Sequence, residues 1–244
     1  GDKYSGSLNV INAFGQLDIP IVKQLRLVGG YRYEYSIMNL KTFDTTYLIN
    51  RDLYAAPLNE NNHLGGVSIT ATPIDEINIR LAFSRTLGRP DFRELSPTIY
   101  SLLSREVYIK GNKYLKQTDI YNYDFRFEWF PSSNEIVALS GFYKYLIKPI
   151  EMLETAGTTS TTFYTYRNAK EARNIGVELE LRKNLAFGGT KNEKKILKQF
   201  LVSANAAFIW SKIKLKYTND IKQGDIDPLK LGSLSSDLTN LTVY

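Results

Sequence analysis

The sequence predicts an all-β chain, an antiparallel up-and-down sheet of about eight long strands built as the wall of a transmembrane β-barrel. Three observations predict it. Large apolar and polar residues alternate with period two in segment after segment, most segments reach ten residues, and the connections alternate between short and long.

Taken in order, residues 4–14 carry a weak alternation. Between 24 and 37, Leu25, Leu27, Tyr31, Tyr33, Tyr35 and Ile37 share one parity, against Gln24, Arg26, Arg32, Glu34 and Ser36. Residues 64–72 are again weak, followed by Ile77, Ile79, Leu81 and Phe83 alternating with Asn78, Arg80, Ala82 and Ser84. The clearest segment sets Tyr121, Tyr123, Phe125, Phe127 and Trp129 against Asn122, Asp124, Arg126 and Glu128. Val137, Leu139, Tyr143, Tyr145 and Ile147 follow, then Ile175, Val177, Leu179 and Leu181 against Glu178, Glu180 and Arg182. Phe200 to Trp210 closes the series.

A strand with one apolar and one hydrated face fits a soluble sandwich or a membrane barrel, with opposite sides turned inward. Length favours the barrel, since globular strands run about five or six residues and tilted membrane strands about nine to eleven. Connections agree. Residues 73–76 and 130–134 read as tight Pro, Ser, Asn and Asp turns, whereas 38–62, 87–119 and 151–162 read as long loops at the opposite end. Residues 184–198 are long for the short-turn side. Tyr31, Tyr33, Tyr35, Tyr143 and Tyr145 fall toward the long loops and Phe127 and Trp129 beside a short turn, as two interfacial girdles require. Helix is expected only in loops such as 91–105.

Composition bounds the function. The 244 residues hold 31 Lys and Arg against 25 Asp and Glu, and mean hydropathy is −0.27. A barrel wall is half polar, so such an average is compatible with membrane spanning by strands, while no run approaches the roughly 18 apolar residues of a spanning helix. The basic residues are dispersed among acids, which argues against nucleic acid; only 191–198 is locally basic, and it reads as a solvated turn. Without cysteine there are no disulfides or thiolate metal sites, and the single His63 has no second histidine, so no metal site and no cofactor are expected. Glu178 and Glu180 lie about 7 Å apart along one face, a spacing any hydrated strand produces, so no enzyme is read from them. The Gly pairs at 29–30, 65–66 and 188–189 lead into no helix and form no phosphate loop. The chain opens Gly-Asp-Lys-Tyr without an apolar leader and is expected to be a piece of a longer precursor.

Residues 83–97, Phe-Ser-Arg-Thr-Leu-Gly-Arg-Pro-Asp-Phe-Arg-Glu-Leu-Ser-Pro, resemble a loop-opening motif of TonB-dependent outer-membrane receptors, especially those of Bacteroidetes-type bacteria. The resemblance continues in order through 111–116, 122–131, 142–151, 168–169 and 176–183. Proline usually follows the Gly111-Asn112 pair in that family, and Lys113 stands there instead.

The resemblance implies that residues 1–244 are a partial barrel domain, about a third of a wall of roughly 22 strands, with the plug and the last strands absent. It implies energy-coupled uptake of a scarce nutrient across the bacterial outer membrane: a siderophore, haem, cobalamin, glycan or peptide. The implied partners are TonB with ExbB and ExbD, through the plug, together with outer-membrane lipid and a small-molecule or glycan ligand. A passive porin or adhesin barrel and a soluble β-rich binding module remain the alternatives.

On the lumen parity, Arg126, Glu128, Glu178, Glu180 and Arg182 are the candidates for plug contact, or else pair across strands. In the long loops, Tyr47, Arg51, Tyr54, Tyr100, Arg105, Tyr108, Tyr164, Tyr166 and Arg167 offer stacking and anion-binding groups for ligand, or else order the loops.

Overall fold

The computed structural model describes residues 3–43, 52–102, 107–132, 134–155, 162–185 and 200–215. Eight strands form one antiparallel sheet: β1 (Lys3–Val22), β2 (Leu25–Phe43), β3 (Asp52–Ile74), β4 (Ile77–Gly88), β7 (Thr118–Trp129), β8 (Ile136–Ile147), β11 (Glu171–Leu185) and β12 (Phe200–Lys214). They stand side by side in chain order, with β1 and β12 at the two edges. Among the described residues those edges are unpaired, so the sheet is open. Each of the eight alternating segments read from the sequence falls on one of these strands.

The register turns the period-two pattern into continuous rows. One row runs Ile69, Leu81, Phe125, Gly141, Val177 and Phe208 across six strands, and the neighbouring row runs Val67, Phe83, Tyr123, Tyr143, Ile175 and Trp210. Tyr123 is 48% exposed and Leu179 40%, although both are large and apolar on this face. No second layer of the described chain covers them. The opposite face carries the charged partners, so the greasy side is the one that needs hydrocarbon around it.

Four expectations are corrected. Strand β1 runs on to Val22 rather than fading near residue 14, and Lys23-Gln24 form a two-residue turn. Proline at position 20 is tolerated because β1 is an edge strand and its register shifts between Pro20 and Val22. Residues 38–62 are mostly strand: β2 extends to Phe43 and β3 begins at Asp52. Pro73 lies inside the end of β3, where the register shifts between Ala71 and Ile74, so the turn is confined to Asp75-Glu76.

The fourth correction is a second sheet. The connection after β4 holds a one-turn helix α1 (Phe92–Leu95), β5 (Ile99–Leu102) and β6 (Val107–Lys110), and the connection after β8 holds β9 (Ile150–Thr155) and β10 (Thr162–Asn168). These four short strands pair in the order β5, β6, β10, β9, and β6 with β10 is a parallel pair. The uniformly antiparallel expectation therefore holds for the wall alone. Met38, Leu40, Leu95 and Leu115 form a buried cluster, against which Leu58, Phe92, Ile150 and Tyr166 pack. Met38 and Leu40 lie on the charged-face parity of β2, so the two long connections fold as a cap against the inner face of the wall.

Candidate functional site

The cap is stitched down by the residues of the loop-opening motif. Asp91 caps α1, its Oδ1 accepting from the Arg93 amide at 2.8 Å while Glu94 Oε2 accepts from the Asp91 amide at 2.9 Å. The Asn112 amide donates to the Glu94 carbonyl at 2.6 Å, and its side-chain Nδ2 donates to the Tyr166 carbonyl at 2.9 Å. Asn168 accepts from the Lys116 amide at 2.7 Å and donates to the Lys116 and Lys148 carbonyls, both at 2.8 Å. Glu34, 2% exposed, receives Arg32 and Arg89, joining the start of the cap to the wall. A buried carboxylate flanked by two guanidiniums is stable only while both remain.

On the charged face near the short turns, the register places Arg80, Arg126, Ser140 and Glu178 in one row and Asn78, Glu128, Ala138 and Glu180 in the next. Arg126 donates through Nε to Glu128 at 2.7 Å, through Nη1 to Ser140 Oγ at 2.9 Å and through Nη2 to Glu180 at 3.1 Å. Arg182 reaches the other Glu180 oxygen at 3.6 Å. Four of the five lumen candidates, Arg126, Glu128, Glu180 and Arg182, thus form one chain of ion pairs across β7 and β11. Arg80 stands opposite Arg126, a like-charge pair whose cost those two carboxylates offset.

Glu178, the fifth, makes no ion pair among the described residues. It lines a cavity of about 470 Å³ with Arg80, Asp124, Arg126, Ser140, Phe142 and Lys144. Alternation marked Glu178, but Arg80, Asp124 and Lys144 were missed, because only the register shows that they share its site.

The loop candidates separate. Tyr47, Arg51 and Arg105 lie outside the described residues, and for Tyr54 only the backbone is described, paired with Lys41 in β2 and β3. Tyr100, Tyr164 and Tyr166 share one face of the small sheet, and Tyr108 and Arg167 share the other. The Tyr100 and Tyr166 hydroxyls are 3.1 Å apart, and the Arg93 guanidinium lies 3.9 Å from the centre of the Tyr100 ring. Burial, then the Tyr166 hydroxyl, push the Tyr100 hydroxyl far above its ordinary value. Tyr108 is exposed and stacked on Phe163 with ring centres 5.4 Å apart, and Arg167 faces Glu151 across β9 and β10. Tyr108 therefore presents an exposed ring, while the Tyr100 and Tyr166 hydroxyls meet each other within the cap. His63 is an exposed wall residue whose Nδ1 meets the Tyr31 hydroxyl.

The family described as TonB dependent receptor-like, beta-barrel matches residues 2–240. Among solved structures the chain is similar to the copper transporter OprC, with 17% identity and a TM-score of 0.61 over 85% of this chain and 30% of that one. It is similar to the ferric yersiniabactin uptake receptor FyuA from Yersinia pestis, with 16% identity and a TM-score of 0.59 over 87% of this chain and 28% of that one. The ferric-catecholate import receptor Fiu from K12 E. coli is alike too, with 12% identity and a TM-score of 0.59 over 93% and 30% of the respective chains. At such identities the likeness carries the fold alone. The chain spans about three-tenths of the length of these structures. No curated protein matches it.

Proposed function

The chain belongs to the TonB dependent receptor-like β-barrel family, and on that premise we propose that it forms part of the wall of an energy-coupled receptor in the bacterial outer membrane. The observation that carries the reading is the two-sidedness of the sheet, with rows of apolar side chains, most of them exposed, on one face and an ion-paired, cavity-bearing face on the other. A Bacteroidetes-type parent, as the motif blocks suggest, would supply the remaining strands of a wall of roughly 22 and a plug inside it.

In this reading the wall satisfies every backbone group within the bilayer and gives the plug a rigid polar seat. Arg126, Glu128, Glu180 and Arg182 hold the wall's own strands together. Glu178, with Arg80, Asp124 and Lys144 around the cavity, is free to meet the plug by hydrogen bonds and ion pairs. TonB, with ExbB and ExbD, pulls on that plug. Cargo, a scarce nutrient such as a siderophore, haem, cobalamin, glycan or peptide, docks on the long-connection end, where Tyr108 and Arg167 provide a ring and a cation. Of the other loop candidates, Tyr164 lies on the cap's inner-face parity, and Tyr47, Arg51, Tyr54 and Arg105 are proposed as ligand contacts on chemistry alone.

The test is uptake by the parent protein in cells with and without TonB. The proposal expects accumulation of the cargo to require both the parent protein and TonB. Accumulation that persists without TonB would make the barrel a passive pore.

A further inference from the structure

The two arms of the cap meet along one thin seam. One arm is α1 with β5 and β6, the other β9 with β10, and they are joined by the parallel pairing of Val107–Lys110 with Thr162–Thr165. That seam is four positions long, whereas β9 and β10 pair with each other over six, and parallel pairing is the weaker kind. Across the seam Tyr108 stacks on Phe163, and the Tyr100 hydroxyl meets that of Tyr166. The firmer contacts of β9 and β10 lie at their other end, beside the wall. There Ile150 and Tyr166 pack on the buried cluster, and Asn168 bonds Lys116 and Lys148.

Three costs are concentrated on the arm of β9 and β10. At its root Lys148 has a φ of 56°, the one non-glycine residue in the left-handed region among the described residues. A Cβ is crowded there, and Pro149 adds to the conflict, because a residue before proline prefers extended backbone. Neighbours impose the conformation: the Lys148 amide donates to the Lys170 carbonyl at 3.2 Å, and its carbonyl accepts from Thr118 Oγ1 at 3.0 Å and Asn168 Nδ2 at 2.8 Å. Strain of this kind persists only where the surroundings over-determine it, and it collects in segments that switch. In the seam itself the Thr165 hydroxyl is buried, its residue 6% exposed, and has no hydrogen-bond partner among the described residues. On β9, burial pushes the Glu151 carboxyl above its ordinary value, so the docked arm also disfavours that charge. Each of the three is relieved when the arm tilts away into water.

We propose that Lys148 is a sprung hinge and that β9 and β10 swing about it as a unit, with Lys170 as the second pivot, parting the cap along the seam between β6 and β10. Lys148 and Lys170 are joined amide to carbonyl, so the two roots define one axis where the wall ends. Releasing the Lys148 carbonyl from Thr118 and Asn168 lets that residue return to extended backbone. The far end of the arm then moves most, where four pairings and one ring stack resist. The purpose rests on the receptor reading: the parted seam is the passage by which cargo crosses the cap into the lumen.

The test is residue-resolved hydrogen exchange, read by mass spectrometry, on the full parent protein in detergent. Amides bonded between β6 and β10 are expected to exchange on the order of 100-fold faster than those of β4 and β7, and faster than those bonded between β9 and β10. K148G accepts the left-handed backbone without a crowded Cβ and should slow exchange at the seam about fivefold relative to K148A, which keeps the Cβ. T165V removes the unpartnered hydroxyl at nearly constant shape and should slow it about fivefold, whereas T118V takes one donor from the Lys148 carbonyl and should speed it by about the same factor. Seam amides as slow as those of the wall, or K148G exchanging as fast as K148A, overturn the hinge. Equal exchange at the seam and within the β9 and β10 pair makes the event local unravelling and overturns the swing. Should K148G fail to migrate as a folded barrel, T165V and T118V carry the test, and no change in either overturns it. Opening in a parent protein whose uptake ignores TonB would keep the hinge and refute the receptor; a rigid seam in a TonB-dependent parent would do the reverse.

Discussion

Replacing Gly111 by alanine tests whether the cap is a packed unit. A Cβ at that position would lie 2.1 Å from the Ser96 carbonyl oxygen and 2.7 Å from those of Arg93 and Glu94. All three are backbone atoms at the end of α1, so no side chain can swing aside. Restoring van der Waals distance requires α1 to move by about 1 Å or more, which costs roughly 1–3 kcal/mol of overpacking. The same movement breaks the bond from the Asn112 amide to the Glu94 carbonyl, about 1 kcal/mol more. The sum, about 2–4 kcal/mol, falls on the cap and not on the hydrogen-bonded wall. When opening is fast relative to cleavage, that loss raises the rate of tryptic cleavage at Arg93, Lys110, Lys113 or Lys116 by roughly 30- to 1000-fold. The assay is limited proteolysis of the parent protein in detergent, with G15A as control, since a Cβ there meets no atom within 4 Å. Cleavage of G111A at the wild-type rate would refute the packing described.

Three further outcomes follow from the same geometry. E34Q removes the buried carboxylate that Arg32 and Arg89 share and should destabilise the cap by about 3 kcal/mol, read as the same protease sensitivity. G176A meets the Phe142 ring at 2.4 Å, but the ring can rotate toward the open lumen, so the barrel's heat resistance on an unheated gel should be nearly unchanged, a loss below about 1 kcal/mol. The Tyr100 hydroxyl holds its proton more tightly folded than unfolded, so its contribution is intact below pH 10, the ordinary value. It is lost as pH rises above that, so Y100F should flatten the alkaline decline in cap stability measured by proteolysis.

The wall was legible because the bilayer imposes a two-residue period. Tyr121 to Trp129 and Ile175 to Leu181 show it cleanly, and both lie where one face must be apolar. The pattern failed where strands leave the hydrocarbon. Asn59, Glu60, Asn61, Asn62 and His63 belong to β3, yet both of its faces there are polar, so they read as loop. Pro73 read as a turn, and the first strand was read only as far as residue 14, short of Pro20, because the edge and bulge positions that admit these prolines are tertiary facts. The small sheet left no trace at all: β6 and β10 have four and seven residues and pair in parallel across more than fifty positions.

The site was half legible for a related reason. Parity placed Arg126, Glu128, Glu178, Glu180 and Arg182 on one face, but which of them pair with each other depends on the stagger of β7, β8 and β11. Gly111-Asn112 and Asn168 were visible only as turn residues, and their shared task of pinning the cap appears once 54 positions of chain are folded back on themselves.

The account's central claim is the choice of sides, and single cysteines in the membrane-embedded parent protein test it most directly. A fluorophore at Tyr123, Val177 or Leu179 should be quenched by lipids carrying a quencher on their acyl chains, and one at Arg126, Glu178 or Glu180 should respond only to a water-soluble quencher. The reverse pattern would contradict the account, because the charged face would then be the one against lipid.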